Sequence, residues 1–434
     1  MSTTTCLQLE ELQKKPTSFH RYIFSGPSVT STTTKEEEKR LVSQTVEARQ
    51  SVLLLKGIRE QYTLVNDHTI PAILHPGEIL VKVLAIGLNP IDWKAPAFNF
   101  GIPSLPWING RDLAGLVLQV PSENSRVRVG DIVLVPSTDY RDIRKAAFQE
   151  YAIATDFNAA RIPSSTSIHA SASLGVAFVA SVLALGVSFG LDFSVLSKSP
   201  GPNLPRIIDQ LDRNSIPADI QDECFVSESE RPKRGDWVAI WGGKKYSPPD
   251  SQDVIADRIE KASTTTGLVT LQLAKLAGLR VICVADAARH GAKLLESGAD
   301  LIVDRHDTNR AVEIIRGITN GKLRYAIDIV GKETATLLEK TLDPAGYSHL
   351  LGLTGLPKER NPGIRYHTVP IKLFHTAPTV GESMVRWLEE LLQSDTLTLP
   401  EIVRAEGGLE GINAALDLLR SGSVSGKRIV VGLD

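Results

Sequence analysis

The sequence predicts an α/β protein of two domains, a β-rich unit followed by a doubly wound parallel sheet, and three observations lead there. The chain has 434 residues, room for about three units at roughly 150 residues each. Residues 1–50 lack a sustained apolar period, which leaves two. From residue 51, short β-rich runs are separated by Pro, Gly and Asn turns; from Trp237, buried strands alternate with helices. Strands interleaved with helices of about ten residues imply a parallel sheet covered on both faces.

Residues 1–50, rich in Ser, Thr, Lys and Glu and including TSTTTKEEEKR, read as a mobile extension with no chemistry. Residues 51–171 form the β-rich domain, carried by SVLLLKG, ILVKVLAI, LAGLVLQV and DIVLVP. An apolar stretch from Ile162 to Leu191 is long enough for a membrane span of about 20 residues. Ser171, Ser173, Ser181, Ser188 and three glycines interrupt it and no Lys or Arg cluster flanks it, so it reads as a buried interdomain helix. Residues 172–355 form the sheet domain. It contains a polar, Pro-rich connector at 192–235, strands WVAIWGG, RVICVA, DLIVD, YAIDIVG and HLLGLTG, and a hydrophilic insertion at 244–262. Residues 356–434 return through two helices to a last strand, KRIVVGL.

Charge and cysteine content narrow the function classes. Forty-eight Lys and Arg against 50 Asp and Glu leave a net charge of −2, which gives no electrostatic reason to bind nucleic acid or an anionic membrane. Cys6, Cys224 and Cys283 match no disulfide framework and no metal spacing. The N-terminal stretch carries acidic residues and no charged-then-apolar layout, so the expected location is cytoplasmic.

The first strand of the sheet domain ends at Trp241-Gly242-Gly243, and the next helix begins at Ser263, Thr264, Thr265, Thr266 and Gly267. Glycines at a strand-to-helix turn let backbone approach a pyrophosphate, and helix N-terminal amides stabilise its charge. After the second strand, Asp286 is an acceptor for a ribose 2′-hydroxyl, whereas Arg289, His290 and Lys293 favour a 2′-phosphate.

The segments GEILVKVLAIGLNPIDWK (Gly77 to Lys94), NGRDLAGLVLQV and VRVGDIVLVP, with Gly110, Asp112, Ala114, Gly115 and Val117 in a G-x-D-x-A-G-x-V run, resemble the medium-chain dehydrogenase/reductase superfamily. The likeness is closest to its zinc-independent quinone and enoyl reductases, in particular the fungal trans-acting enoyl reductases of polyketide biosynthesis. It implies a GroES-like catalytic domain, completed by the C-terminal return, and a Rossmann coenzyme domain between. It also implies NADP(H) as cofactor, hydride delivery to an activated C=C, and an enone, quinone or carrier-bound enoyl thioester as substrate, with a polyketide synthase as partner. The chain is expected to be a monomer or a homodimer.

By the same resemblance Lys94 stabilises charge on the substrate carbonyl, while Asn89 and Asp92 position its loop. Val176, Phe178 and Ser181 line the substrate pocket; the family threonine that approaches the nicotinamide is Ala180 here, so that contact is lost or passes to Ser181. Gly352, Leu353, Val424 and Ser425, with Lys427 beside them, border the coenzyme. No metal is expected: zinc-dependent relatives carry a Cys at Asn89 and a His-Glu pair at Arg111-Asp112, and an amide with a guanidinium cannot replace thiolate and imidazole.

Two features depart from the pattern. Lys244 to Ala262 separate Gly243 from Ser263 in a loop that the family runs continuously, either as a lid over the pyrophosphate or as an intrusion such as translated intervening sequence. Gly186-Val187-Ser188-Phe189-Gly190 fits the nucleophile-elbow pattern of serine hydrolases, but it ends a helical run where an elbow needs a strand before it. A dinucleotide-binding scaffold without turnover is the remaining alternative.

Overall fold

Short antiparallel strands make up one half of the chain, and parallel strands alternating with helices make up the other. In the computed structural model the described residues are 48–242 and 264–433. Residues 1–47, the phosphate-loop residues Gly243 and Ser263, and the insertion 244–262 lie outside them. The first half contains β1 (Arg49–Leu55), β2 (Thr63–Thr69), β3 (Glu78–Gly87), β4 (Trp107–Ile108), β5 (Asp112–Gln119), β6 (Ile132–Val135), β7 (Tyr151–Thr155) and β8 (Ala160–Arg161). In β3 only Lys82 rises out of the buried class.

Asn89-Pro90-Ile91-Asp92-Trp93-Lys94 is helical, not a loop: α1 spans Pro90–Phe98. Pro90 presets the first turn, and the Asp92 carboxylate accepts from the Asn89 N–H at 2.7 Å, a local closure that starts the helix. The interdomain run folds as α2 (Ile168–Ala172) and α3 (Gly175–Leu183), the latter ending in a π-turn at Ala184–Ser188. No helix among the described residues is long and apolar enough to cross a membrane. Ser188 is fully buried, with its hydroxyl donating to the Thr368 carbonyl at 3.4 Å, which gives it neither the exposure nor the strand-to-helix turn of a nucleophile elbow.

The connector contains α4 (Leu204–Asp209) and docks on the second sheet. Glu223 accepts from His367 Nδ1 at 2.7 Å and from the Thr368 N–H at 2.9 Å; the Tyr325 hydroxyl donates to the Glu230 carbonyl at 2.7 Å.

The second half alternates: β9 (Trp237–Trp241), α5 (Thr264–Leu276), β10 (Arg280–Ala285), α6 (Ala287–Glu296), β11 (Leu301–Asp304), α7 (Thr308–Ile318), β12 (Tyr325–Asp328), α8 (Lys332–Glu339), β13 (Ser348–Gly352) and β14 (Ile364–His367). The strands run parallel in the order β11-β10-β9-β12-β13-β14. Chain order reverses beside β9, the point at which an open α/β sheet leaves a crevice at its strand C-termini. After α9 (Ile371–Thr376), α10 (Pro378–Gln393), β15 (Ile402–Ala405) and α11 (Gly408–Ser421), β16 (Arg428–Gly432) pairs antiparallel with β3. The last strands thereby complete the first half's large sheet, ordered β15-β16-β3-β5-β6-β8.

The main core joins the halves through α3. Phe178, Val179 and Val182 pack with Val269 and Leu273 of α5 and with Trp387 of α10. Removing such a stripe from water contributes about 25 cal/mol per Å² of apolar area.

Candidate functional site

At the C-terminal ends of β9 and β10 lies a cleft. Gly242 leaves β9 with its N–H on the Val284 carbonyl at 2.9 Å, and a Cβ at that position would meet nothing within 4 Å among the described residues. Thr265 and Gly267, in the first turn of α5, face the same space. N–H groups at a helix N-terminus and the positive end of its dipole favour an anion; the residues that precede Thr264 lie outside the described ones.

The far wall is cationic. Asp286, Arg289, His290, Lys293, Arg305, Ser425 and Gly426 line it. Asp286 caps α6, accepting from the Arg289 N–H at 3.1 Å, and pairs with Arg305 at 3.4 Å. Burial alone would raise its carboxyl, but those two donors hold it below the usual carboxylate range. The expected ribose acceptor is therefore already engaged by its own protein.

Lys293 and Lys427 share Glu401, at 2.6 and 3.4 Å. His290 Nε2 lies 3.1 Å from the Ser425 hydroxyl. Burial and the neighbouring Arg289, Arg305 and Lys293 charges lower the His290 pKa, with Asp286 opposing them, so the imidazole is neutral at pH 7. Gly426 has φ +73°, and a Cβ there would sit 3.1 Å from His290 Cε1; a side chain would be strained as well as crowded.

Arg305 escaped the sequence reasoning. Its side chain is 12% exposed, and its Nε is buried without a hydrogen-bond partner among the described residues. A signal for it existed: β10 and β11 pair with Ala285 opposite Asp304, so the residues that follow, Asp286 and Arg305, emerge side by side.

Next to α1 lies a different polar group. Asn89 is buried; its Nδ2 donates to Asp112 Oδ2 at 2.9 Å, and its Oδ1 accepts from Arg428 at 2.7 Å. Asp112 Oδ1 accepts from the N–H groups of Ser137 at 2.9 Å and Val176 at 2.8 Å. Gly175 makes room for this, since a Cβ there would stand 2.3 Å from Asp112 Oδ1. These bonds tie β3, β5 and β16 to the start of α3. A zinc ion does not fit this donor set, in which an amide already accepts from a guanidinium and the one carboxylate is filled by N–H donors.

Asp92 lies in the same cluster. Its Oδ1 is buried without a hydrogen-bond partner among the described residues, and burial pushes its pKa up to about 7. The Tyr62 hydroxyl donates to the Asp92 carbonyl at 2.5 Å and accepts from Asn109 at 2.8 Å; burial and the Asp92 charge raise its pKa.

Several expected residues stand elsewhere. Lys94 is on the half-exposed face of α1 and Val176 at the start of α3, and neither lines the cleft at the ends of β9 and β10. Phe178 is fully buried 6.1 Å from the Trp387 ring, so it belongs to the core and not to a substrate pocket. The Ser181 hydroxyl lies 2.8 Å from Thr270 Oγ1 and donates to the Ala177 carbonyl at 2.7 Å; it ties α3 to α5 and has not replaced the missing threonine. Gly352 is a glycine because a Cβ would lie 2.3 Å from the Gly355 carbonyl oxygen. Leu353 packs on the main core and Val424 on that of the first half. The Thr264 side chain lies outside the described residues, and Thr266 is half-buried.

Residues 75–164 match the alcohol dehydrogenase GroES-like domain, and residues 265–384 match the zinc-binding dehydrogenase domain. The trans-enoyl reductase poxP of Penicillium oxalicum is 28% identical over 409 residues, which cover 86% of this chain and 90% of that protein. The enoyl reductase component lovC of the lovastatin nonaketide synthase of Aspergillus terreus is 25% identical over 416 residues, covering 89% and 97%. The structure of Escherichia coli quinone oxidoreductase complexed with NADPH superposes with a TM-score of 0.62 at 18% identity, covering 89% of this chain and 100% of its own. The CurK enoyl reductase gives 0.61 at 13% identity, covering 89% and 99%. Structural likeness at such identity speaks for the fold, and the sequence relatives extend it over nearly the whole chain. Two matching domains in the family's order, with a filled amide, carboxylate and guanidinium cluster at the positions of zinc ligands, support an oxidoreductase of the zinc-independent medium-chain dehydrogenase/reductase type.

Proposed function

We propose that this chain is an NADPH-dependent enoyl reductase that acts in trans on α,β-unsaturated thioesters carried by a polyketide synthase. The observation that carries the coenzyme half is Arg305, which lines a cleft with Arg289 and His290 and whose buried Nε has no partner among the described residues. A ribose 2′-phosphate supplies the acceptor missing there, and a 2′-hydroxyl supplies no compensating charge. The substrate half rests on the trans-enoyl reductases to which the chain is similar along most of its length.

The cofactor, when bound, supplies hydride to the β-carbon of the substrate, and water supplies the proton that the α-carbon takes up. The residues of the chain do the rest. The first turn of α5 and Gly242 hold the pyrophosphate through backbone N–H groups. Arg305 and Arg289 hold the 2′-phosphate. Lys94 donates a hydrogen bond to the thioester carbonyl oxygen, where negative charge grows as the β-carbon is reduced. Asp92 and Asn89 act one step removed: the Asp92–Asn89 bond starts α1 and fixes the helix on which Lys94 rides.

Stopped-flow oxidation of NADPH against a simple enone, a quinone and enoyl thioesters on a pantetheine mimic tests this reading. Enoyl thioesters are expected to react fastest, and Lys94→Ala to lower kcat by about 10²-fold with unchanged NADPH affinity. NADPH binding without oxidation by any member of the panel would instead identify a dinucleotide-binding scaffold.

A further inference from the structure

The segment behind Lys94 has an unusual surface. From Ala95 to Gly110 no residue is charged, yet the segment is far from fully buried: Phe98, Phe100 and Leu105 are 47%, 45% and 40% exposed. Its inward contacts come from other residues, since Ala97 and Ile102 pack on the core of the first half. Asn99 ends α1 in the left-handed conformation with φ 55°, and Gly101 continues the turn with φ +65°. Three exposed aromatic and aliphatic side chains gathered in one uncharged stretch of sequence are candidates for contact with an apolar ligand.

Helical spacing joins this surface to Lys94. Ile91, Lys94 and Phe98 recur at three and four residues, so they share one face of α1, with neighbouring side chains about 6 Å apart. The opposite face is buried through Asp92, Trp93, Ala95 and Pro96. Phe98 is steadied by the Trp93 ring 6.3 Å away. One ammonium at the head of an apolar strip matches a ligand with one polar acceptor at the head of a hydrocarbon chain.

We infer that Phe98, Phe100 and Leu105 form the binding strip for the hydrocarbon tail of a long acyl thioester whose carbonyl meets Lys94. This rests on the enoyl-reductase reading. It adds to that reading a preference for chain length: a four-carbon acyl group ends before Phe98, whereas a twelve-carbon group runs over it.

The test separates binding from turnover. Dodecanoyl- and butanoyl-pantetheine, which have no double bond to reduce, are titrated calorimetrically into the full chain and into a Phe98→Ser/Phe100→Ser/Leu105→Ser variant. Light scattering records the mass of both proteins, and circular dichroism checks that the variant is folded. The dodecanoyl compound is expected to bind the variant about tenfold more weakly, because three serines shield less of the hydrocarbon tail from water, while the butanoyl compound binds both proteins alike. Equal dodecanoyl affinity in the two folded proteins overturns the proposal. If, in addition, only the wild type self-associates, the strip is a contact between copies of the chain. Turnover of the matching enoyl thioesters is measured in parallel. Loss of dodecanoyl affinity in a protein that reduces neither enoyl thioester upholds the strip and removes the reductase reading.

Discussion

The cationic end of the coenzyme cleft and the Asn89–Asp112–Arg428 cluster use similar side chains to opposite ends. In the cluster each strong donor and acceptor of Asn89 and Asp112 meets a protein partner, and the chain spends these groups on joining its two halves. In the cleft Asp286 is consumed by the helix it caps, and Arg305 keeps a buried Nε with no partner among the described residues. The contrast teaches that residue type does not tell a structural charge from a ligand-binding one. Access does: Arg305 lines the cleft, whereas Arg428, whose Nε also has no partner among the described residues, is closed in by Asn89 and Asp112.

The largest expected effect comes from breaking the cluster. Asp112→Ala leaves the Arg428 guanidinium buried, at 4% side-chain exposure, with the Asn89 amide oxygen and Asp92 to oppose its charge. Removing one partner of a buried ion pair costs about 3–5 kcal/mol, so the variant should lose that much stability in urea unfolding. It should also release the start of α3, read as faster amide exchange at Val176.

Arg305→Ala sharpens the other side of the comparison. A residue with an unmet hydrogen bond contributes little to the free fold, so stability should change by less than about 1 kcal/mol. The KM for NADPH should rise about tenfold or more, the scale of a charge-assisted hydrogen bond, with the KM for NADH nearly unchanged. Equal losses for both coenzymes would mean that Arg305 only holds Asp286 in place.

Asp92 lies between the two cases, buried in the cluster with one oxygen unmet. Its folded pKa of about 7 stands above the usual 3.8, so between those values the folded state binds the extra proton. Its contribution to stability is therefore complete below about pH 4 and is lost as pH rises through 7, with a slope of at most about 1.4 kcal/mol per pH unit. Asp92→Asn should remove this slope and be more stable than the wild type at pH 8. A wild-type slope of the opposite sign, preserved in the variant, would mean that Asp92 stays ionised.

Strand and helix period make the two halves and the C-terminal return readable, because burial imposes its period on any strand or helix it covers. The cleft is readable where motif and backbone coincide, at Gly242, Thr265 and Gly267. It is not readable where tertiary partners decide availability. Lys94 reads as a loop residue because the Asp92 carboxylate that starts its helix follows a proline and gives no apolar period. Arg305 needs the register of β10 against β11, and Phe178 needs the position of Trp387, 209 residues further along. Gly352 reads as a coenzyme contact, yet the oxygen that excludes its Cβ belongs to Gly355, three residues on.

The smallest expected effect tests one of those reassignments. If the Ser181 hydroxyl met the coenzyme, its removal would change kcat or the KM for NADPH. Bound instead to Thr270 and the Ala177 carbonyl in the contact between α3 and α5, it should cost only the hydrogen bond, about 1 kcal/mol. Ser181→Ala should thus lower the urea midpoint slightly and leave both kinetic constants within twofold. Because Thr270 also donates to the Thr266 carbonyl at 2.7 Å, its hydroxyl keeps an acceptor in the variant, and the loss should lie at the low end of that range. A tenfold fall in kcat at unchanged stability would return Ser181 to the site and require α3 to turn by part of a helical step when coenzyme binds.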